Sequence, residues 1–218
     1  MNESQLIHYL DSLPKQEPAW VKQMQHDAQK DHVPIMDIQG IALLQQLIRL
    51  YQPQKLLEIG TAIGYSALRM IEAKNNLEIV TIERDQAMYQ RAMDHIVDQG
   101  RQAQIEVILG DALELAVETK TKGKFDMIFI DAAKGQYRRF FELYEGTLSK
   151  NGVIITDNVL FHGYVANPDG APKRLRNMVK KIDAYNRWLL QHQGYDTVIL
   201  PIGDGIAISI KRENDYIS

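Results

Sequence analysis

Cysteine is absent from the 218-residue chain. That excludes disulfides, thiolate zinc sites, iron–sulfur clusters and a thiol nucleophile. A basic excess is missing too: 25 Lys and Arg stand against 28 Asp and Glu, a formal charge of −3. No global positive field therefore draws the protein to nucleic acid or membranes, which leaves only local patches. No apolar run approaches the roughly 18 residues of a membrane span, so we expect no membrane partner. The opening Met1-Asn2-Glu3-Ser4-Gln5-Leu6 lacks the basic-then-apolar order of a secretory leader. The expectation is a soluble cytoplasmic protein. Repeats and low-complexity segments are lacking as well, and the 14 Gly and 7 Pro are scattered, so nothing marks a linker. A chain this long buries roughly 70% of its unfolded surface without a staple. We read 1–218 as one domain, with N-terminal helices in 1–52 lying over its sheet.

What is present is a change of period. Leu43, Leu44, Leu47, Ile48 and Tyr51 follow 3- and 4-residue steps, a helical pattern that Pro53 stops. Beyond it, 55–59, 78–82, 104–109, 125–130 and 152–156 are short runs rich in Ile, Val, Leu and Phe. Helical stretches at 65–74, 85–99, 112–121 and 136–149 separate them. Near-continuous apolar strands alternating with helices predict a parallel sheet covered on both faces. With right-handed crossovers this is a doubly wound, Rossmann-like α/β fold. A long helix over 172–192 precedes 195–200 and 206–211, which Pro201-Ile202-Gly203-Asp204-Gly205 joins. That spacing predicts a hairpin, adding an antiparallel edge to the mostly parallel sheet.

In open α/β sheets ligands bind beyond the carboxyl ends of the strands. The first strand ends in Glu58-Ile59-Gly60-Thr61-Ala62-Ile63-Gly64-Tyr65-Ser66. Gly60 permits a tight turn and Gly64 lets the next helix come close. A dinucleotide fingerprint places Gly where this chain has Ala62. Glu83, ending the next strand, is placed to accept hydrogen bonds from ribose hydroxyls. A glycine turn with a ribose acid but no pyrophosphate glycine suits S-adenosylmethionine better than a nicotinamide dinucleotide; the plain alternative is a tight strand–helix turn. Ser66 opens the following helix, where a hydroxyl and the helix N-terminus suit a carboxylate, or it is a helix-start hydroxyl only. Asp111, after Gly110, is as much a helix cap as a ligand contact.

The sharpest cluster follows. Phe125-Asp126-Met127-Ile128-Phe129-Ile130 runs into Asp131-Ala132-Ala133-Lys134, and Gly152-Val153-Ile154-Ile155-Thr156 into Asp157-Asn158. If these strands are neighbours, Asp131, Asp157 and Asn158 bring three hard oxygens together, a donor set for Mg²⁺ rather than zinc. Helix capping is the alternative; it explains each Asp but not Asn158. Of the roughly six oxygens Mg²⁺ takes, three from protein leave two for a chelating substrate and one for water. That arithmetic calls for an acceptor with two adjacent oxygens.

On these residues the sequence resembles the catechol and caffeoyl-CoA type O-methyltransferases, metal-dependent S-adenosylmethionine enzymes of the class I methyltransferase fold. The resemblance runs from Val33-Pro34-Ile35-Met36-Asp37-Ile38-Gln39-Gly40 through Asp131-Ala132-Ala133-Lys134 to Asp157-Asn158-Val159-Leu160. It is most similar to the bacterial branch that converts 5-hydroxyuridine at the tRNA wobble position to 5-methoxyuridine, on length, Ile35-Met36-Asp37 and Asp157-Asn158-Val159-Leu160-Phe161. The resemblance implies metal ligands at Asp131, Asp157 and Asn158. It implies cofactor contacts at Met36, Ser66, Glu83, Asp111, Ala112 and Asp131, beside the Gly60 turn, with Asp111 facing the adenine. Lys134 matches the family's catalytic lysine, as general base or as a charge that stabilises the oxyanion; a solvated lysine early in a helix is the plain alternative. A homodimer is implied as well. Two departures point away from a plant- or animal-type catechol acceptor. Ala132 and Ala133 are small where catechol enzymes are bulky, and Val159-Leu160-Phe161-His162-Gly163-Tyr164 shows no aromatic wall.

The 5-hydroxyl and 4-carbonyl of 5-hydroxyuridine are adjacent oxygens, so the same site serves either acceptor. A tRNA anticodon loop also needs phosphate contacts. Lys173, Arg174, Arg176, Lys180, Lys181 and Arg187 face one acid, Asp183, over 173–187, either a phosphate-binding surface or a solvated helix face. Arg138 and Arg139 extend that rim. Tyr137, Phe161 and Tyr164 are candidates for stacking on splayed bases, with a core role the safer reading for Phe161. His162 is a substrate contact or a loop histidine without function.

Overall fold

The computed structural model describes Tyr9, Leu10, Ser12, Leu13 and residues 17–212; the six opening residues read above for a leader lie outside them. The chain divides into two compact units, Met1–Ile35 and Met36–Ser218. In the first, helix α1 (Ala19–Lys30) buries Val21, Met24 and Ala28, a stripe at helical spacing. Among the described residues no helix is long and apolar enough to cross a membrane.

The second unit opens on Asp37, whose carboxylate accepts from the Gln39 and Gly40 N–H groups and so starts α2 (Ile38–Tyr51). Gln52 ends it in a left-handed turn (φ 54°) just before Pro53. Then come β1 (Lys55–Ile59), α3 (Tyr65–Ala73), β2 (Glu78–Glu83), α4 (Gln86–Asp98) and β3 (Ile105–Leu109). After them follow α5 (Ala116–Thr121), β4 (Phe125–Ile130), α6 (Tyr137–Tyr144), β5 (Leu148–Thr156), α7 (Arg176–Gln191), β6 (Tyr195–Leu200) and β7 (Ile206–Lys211). The sheet order is β3-β2-β1-β4-β5-β7-β6. β1 to β5 pair in parallel, and β7 runs antiparallel between β5 and β6. This is the class I methyltransferase architecture.

Both faces of the central strands are covered, which is why their sequences are apolar without alternation. Leu57, Ile128 and Ile154 join Phe140, Phe141, Ile182 and Leu189 in one core, each full burial of such a side chain contributing about 1.5–3 kcal/mol. On α6, Tyr137, Phe140, Phe141 and Tyr144 are buried at i, i+3, i+4 and i+7.

Four predicted boundaries are corrected. The helix expected from residue 112 begins at Ala116, because Asp111 first closes a turn: its side chain accepts from Leu113 N–H and its carbonyl from Glu114 and Leu115. The helix expected to reach residue 149 ends as α6 at Tyr144, and a 3₁₀ turn, Glu145–Thr147, leads into β5. Leu148 is already paired with Phe125, so the strand starts four residues earlier than its Val/Ile run. Lys173–Leu175 is a 3₁₀ turn before α7.

Candidate active site

The carboxyl ends of five strands lie side by side, and backbone hydrogen bonds continue past them. Gly110 N–H donates to Glu83, Gly60 to Ile82, Asp131 to Ile59 and Asp157 to Ile130. Glu83, Gly60, Asp131 and Asp157 therefore form one row along the sheet edge, with Asp111 just beyond Gly110. Neighbouring β4 and β5, paired Ile130 with Thr156, meet the condition the three-oxygen reading required.

Gly60 sits at φ 103°, and a Cβ there would drive into the Asp131 carbonyl oxygen. Only glycine allows the turn and the close approach together. Ala62 also takes the left-handed region, at φ 47°, and its N–H donates to Glu83 Oε2 at 2.8 Å. Glu83 Oε1 accepts from Asp85 N–H at 2.8 Å. The acid is thus fixed between the turn and α4, and each oxygen keeps a lone pair for a ribose hydroxyl. Ala112 is buried, and its carbonyl accepts from the Tyr144 hydroxyl. Met36 is buried with its methyl end towards Gly40.

The Ser66 hydroxyl donates to Glu58 Oε1 at 2.5 Å, which leaves its lone pairs to accept. Thr81 donates to Glu58 Oε2 at 2.6 Å and is bonded to Thr61. Glu58 is fully buried, and burial pushes its carboxyl up to about 8, against the pull of the two hydroxyls. Unfolded, it ionises near its ordinary 4.5. Between those values the folded state holds the extra proton, so stability falls as pH rises through the window, by up to about 5 kcal/mol. In calorimetric scans, Glu58→Gln should lose less Tm than the wild type between pH 5 and pH 8. Equal losses would assign the pH dependence to other acids.

At the other end of the row the charge is concentrated. Asp157 is buried; its Oδ1 accepts from Asn158 N–H at 2.7 Å, and its Oδ2 has no partner among the described residues. Burial and then the adjacent Asp131 push Asp157 up, and Asp37 adds to this against the Asn158 amide and Lys134. Burial likewise raises Asp131, with Lys134 opposing. Lys134, in a 3₁₀ turn (Lys134–Gln136), donates to Asn158 Oδ1 and lies over the Phe161 ring, 5.9 Å from its centroid. Among the described residues no three His, Cys, Asp or Glu converge on one point; the donor set here is two carboxylates and an amide. It fits a hard divalent cation nonetheless. The donors are oxygens, one is open, and a buried acid beside a half-buried one calls for positive charge.

Several participants were missed. Asn158 is held at φ 58° by a clamp on the β6–β7 loop: Val159 N–H donates to Gly205, and Leu160 and Phe161 N–H to Asp204. Asn186, from α7, donates to the Val159 carbonyl at 2.7 Å. Asp37 faces Gly203, where a Cβ would collide with its carboxylate. Sequence separations this long leave no local signal. Tyr137 is 1% exposed, which overturns the stacking role suggested for it; it belongs to the inner stripe of α6. Burial, then Asp131 and Asp157, hold its phenol well above the usual range. Phe161 is buried, as the core reading had it, and forms ring contacts with His162 at 5.1 Å and Tyr164 at 6.1 Å. Exposed His162 is paired with Asp204 at 3.1 Å.

The basic residues 173, 174, 176, 180, 181 and 187 are all exposed, but they are not equivalent. Arg176 donates to the carbonyls of Ala171 and Asp169, and Arg187 pairs with Asp183. Lys181 lies against Gly135, next to Lys134. Arg138 covers the Trp188 ring at 5.0 Å and pairs with Glu142, and Arg139 donates to Gln136.

Comparison with known proteins agrees with this geometry. The sequence profile of the O-methyltransferase family matches residues 11–212. A catechol O-methyltransferase of Niastella koreensis is 31% identical, over 78% of each chain. A caffeoyl-CoA O-methyltransferase of Stellaria longipes is 26% identical, over 94% of this chain and 90% of its own. A candidate caffeoyl-CoA O-methyltransferase of Staphylococcus aureus, solved by crystallography, is 39% identical with a TM-score of 0.85, over 96% of this chain and 98% of its own. The chain belongs to the O-methyltransferase family of the caffeoyl-CoA and catechol type.

Proposed function

We propose that this O-methyltransferase moves the methyl group of S-adenosylmethionine to the 5-hydroxyl of 5-hydroxyuridine at the wobble position of tRNA, with Mg²⁺ at Asp131, Asp157 and Asn158. The observation that carries the chemistry is the single row of Glu83, Gly60, Asp131 and Asp157 on the sheet edge, with Lys134 bonded to Asn158. Glu83 receives the ribose and the Gly60 turn gives the cofactor room beside Asp131. The transfer is an in-line displacement: the sulfonium C–S bond breaks as the O–C bond forms, and the hydroxyl proton leaves. Catalysis then rests on alignment and on removal of that proton. A bound divalent cation supplies acidification of the hydroxyl and a grip on two adjacent oxygens. Lys134, 24 residues before Asn158 but hydrogen-bonded to it, holds positive charge where the acceptor oxygen becomes negative.

The support for a tRNA acceptor is the basic start of α7, set against the Lys134 turn through Lys181 and Gly135, with His162 and Tyr164 packed on Phe161, the ring under Lys134. Lys173, Arg174 and Lys180 are the residues to reverse, since Arg176 ties down its own loop. Changing all three to Glu should raise the KM for hypomodified tRNA roughly tenfold or more and flatten its salt dependence. Methylation of free 5-hydroxyuridine should be unchanged, because the nucleoside lacks distant phosphates. An equal response of both substrates would make the stretch a solvated face. The names of the relatives favour a second reading, a small catechol-like acceptor. Methylation of catechols by a wild type that ignores tRNA would establish it.

A further inference from the structure

Two buried polar atoms beside the paired acids have no partner among the described residues, Tyr137 Oη and Asp157 Oδ2. Tyr137 cannot turn away. Its ring is fixed against Tyr185, with centroids 5.5 Å apart, and the Tyr185 hydroxyl is itself taken by Thr156 at 2.8 Å. Thr156 directly precedes Asp157, which places the Tyr137–Tyr185 pair at the acid end of β5, and Asp131, Asp157 and Asp204 all raise the phenol. A phenylalanine would fill this space equally well, so packing accounts for the ring but not for its hydroxyl. Buried polar groups are satisfied with few exceptions, and an exception inside a site marks where a ligand or water completes the set.

We propose that Tyr137 is a positioning residue of the cation site, its hydroxyl accepting a hydrogen bond from a water of the cation's hydration shell while Asp157 Oδ2 is left for the cation. The proposal rests on the divalent-cation reading above. Mg²⁺ and Mn²⁺ keep waters when protein ligands are few, and partners that hold such outer atoms set affinity and orientation. Tyr137 stands three residues after Lys134, so one short segment carries both the charge at the acceptor oxygen and the hydroxyl behind the cation.

The test titrates Mn²⁺ into wild type and Tyr137→Phe, reading free Mn²⁺ by electron paramagnetic resonance, with the metal-free Tm of each measured by calorimetry. The variant should bind Mn²⁺ roughly 10–100-fold more weakly, while its metal-free Tm stays equal or rises, since it loses an unsatisfied buried group. Equal affinities would overturn the proposal. So would a lower metal-free Tm, which would make the hydroxyl a structural bond. A wild type that binds no Mn²⁺ would overturn the cation reading itself, an outcome visible before the variant is considered.

Discussion

Asp157→Asn, or treatment of the wild type with EDTA, should lower the turnover number at least about a thousand-fold. A cation that acidifies and orients an acceptor contributes several kcal/mol to the transition state, and each 1.36 kcal/mol is tenfold in rate. The carboxamide keeps the volume and an oxygen for the Asn158 N–H, so what it removes is charge. Its effect on stability should have the opposite sign. In the metal-free protein burial and the Asp131 charge raise the cost of ionising Asp157, and removing that carboxylate relieves this at pH 8. Radiometric transfer assays with added Mg²⁺, set beside thermal melts, check both. The EDTA effect should reverse on adding Mg²⁺ and the Asp157→Asn effect should not. Full activity in chelator would end the metal-dependent reading.

Lys134→Met should cost roughly 10²–10⁴-fold in single-turnover rate, the range of a positioned acid–base or charge-stabilising group. Methionine keeps the stem over Phe161 and deletes the ammonium, so cofactor affinity, set at the Glu83 end of the row, should be unaltered. Lys134→Arg should not restore the rate, because a planar guanidinium presents its donors differently from a compact ammonium. Rapid-quench measurement with saturating cofactor separates the two effects. A loss confined to cofactor binding would move Lys134 out of the chemistry.

The architecture was legible because buried parallel strands write themselves as unbroken apolar runs; β1, β4 and the β6–β7 hairpin fall where the pattern puts them. The row of acids was legible for a related reason: each is the first polar residue after such a run. Boundaries were misread where a side chain competes with the backbone, as Asp111 does, or where a partner strand extends pairing to Leu148 beyond the apolar run. Tyr137 was misread for want of a phase. Taken with Phe140, Phe141 and Tyr144 its spacing is that of an inner stripe, but placed beside Lys134 alone it looked like part of the rim. Ser66 has a buried partner, Glu58, that no short-range pattern reveals. Asp37, Asp204 and Asn186 reach the site only through tertiary structure.

The clamp on Asn158 orders events during synthesis. Asn158 is translated some fifty residues before its loop can close, because the carbonyls that receive Val159, Leu160 and Phe161 belong to Asp204 and Gly205. β7 must then thread between β5 and β6, reversed in direction. A nascent chain that has folded its glycine turn and first four strands thus has the cofactor end of its sheet and lacks the geometry that would let a methyl group leave. Competence waits for the β6–β7 hairpin.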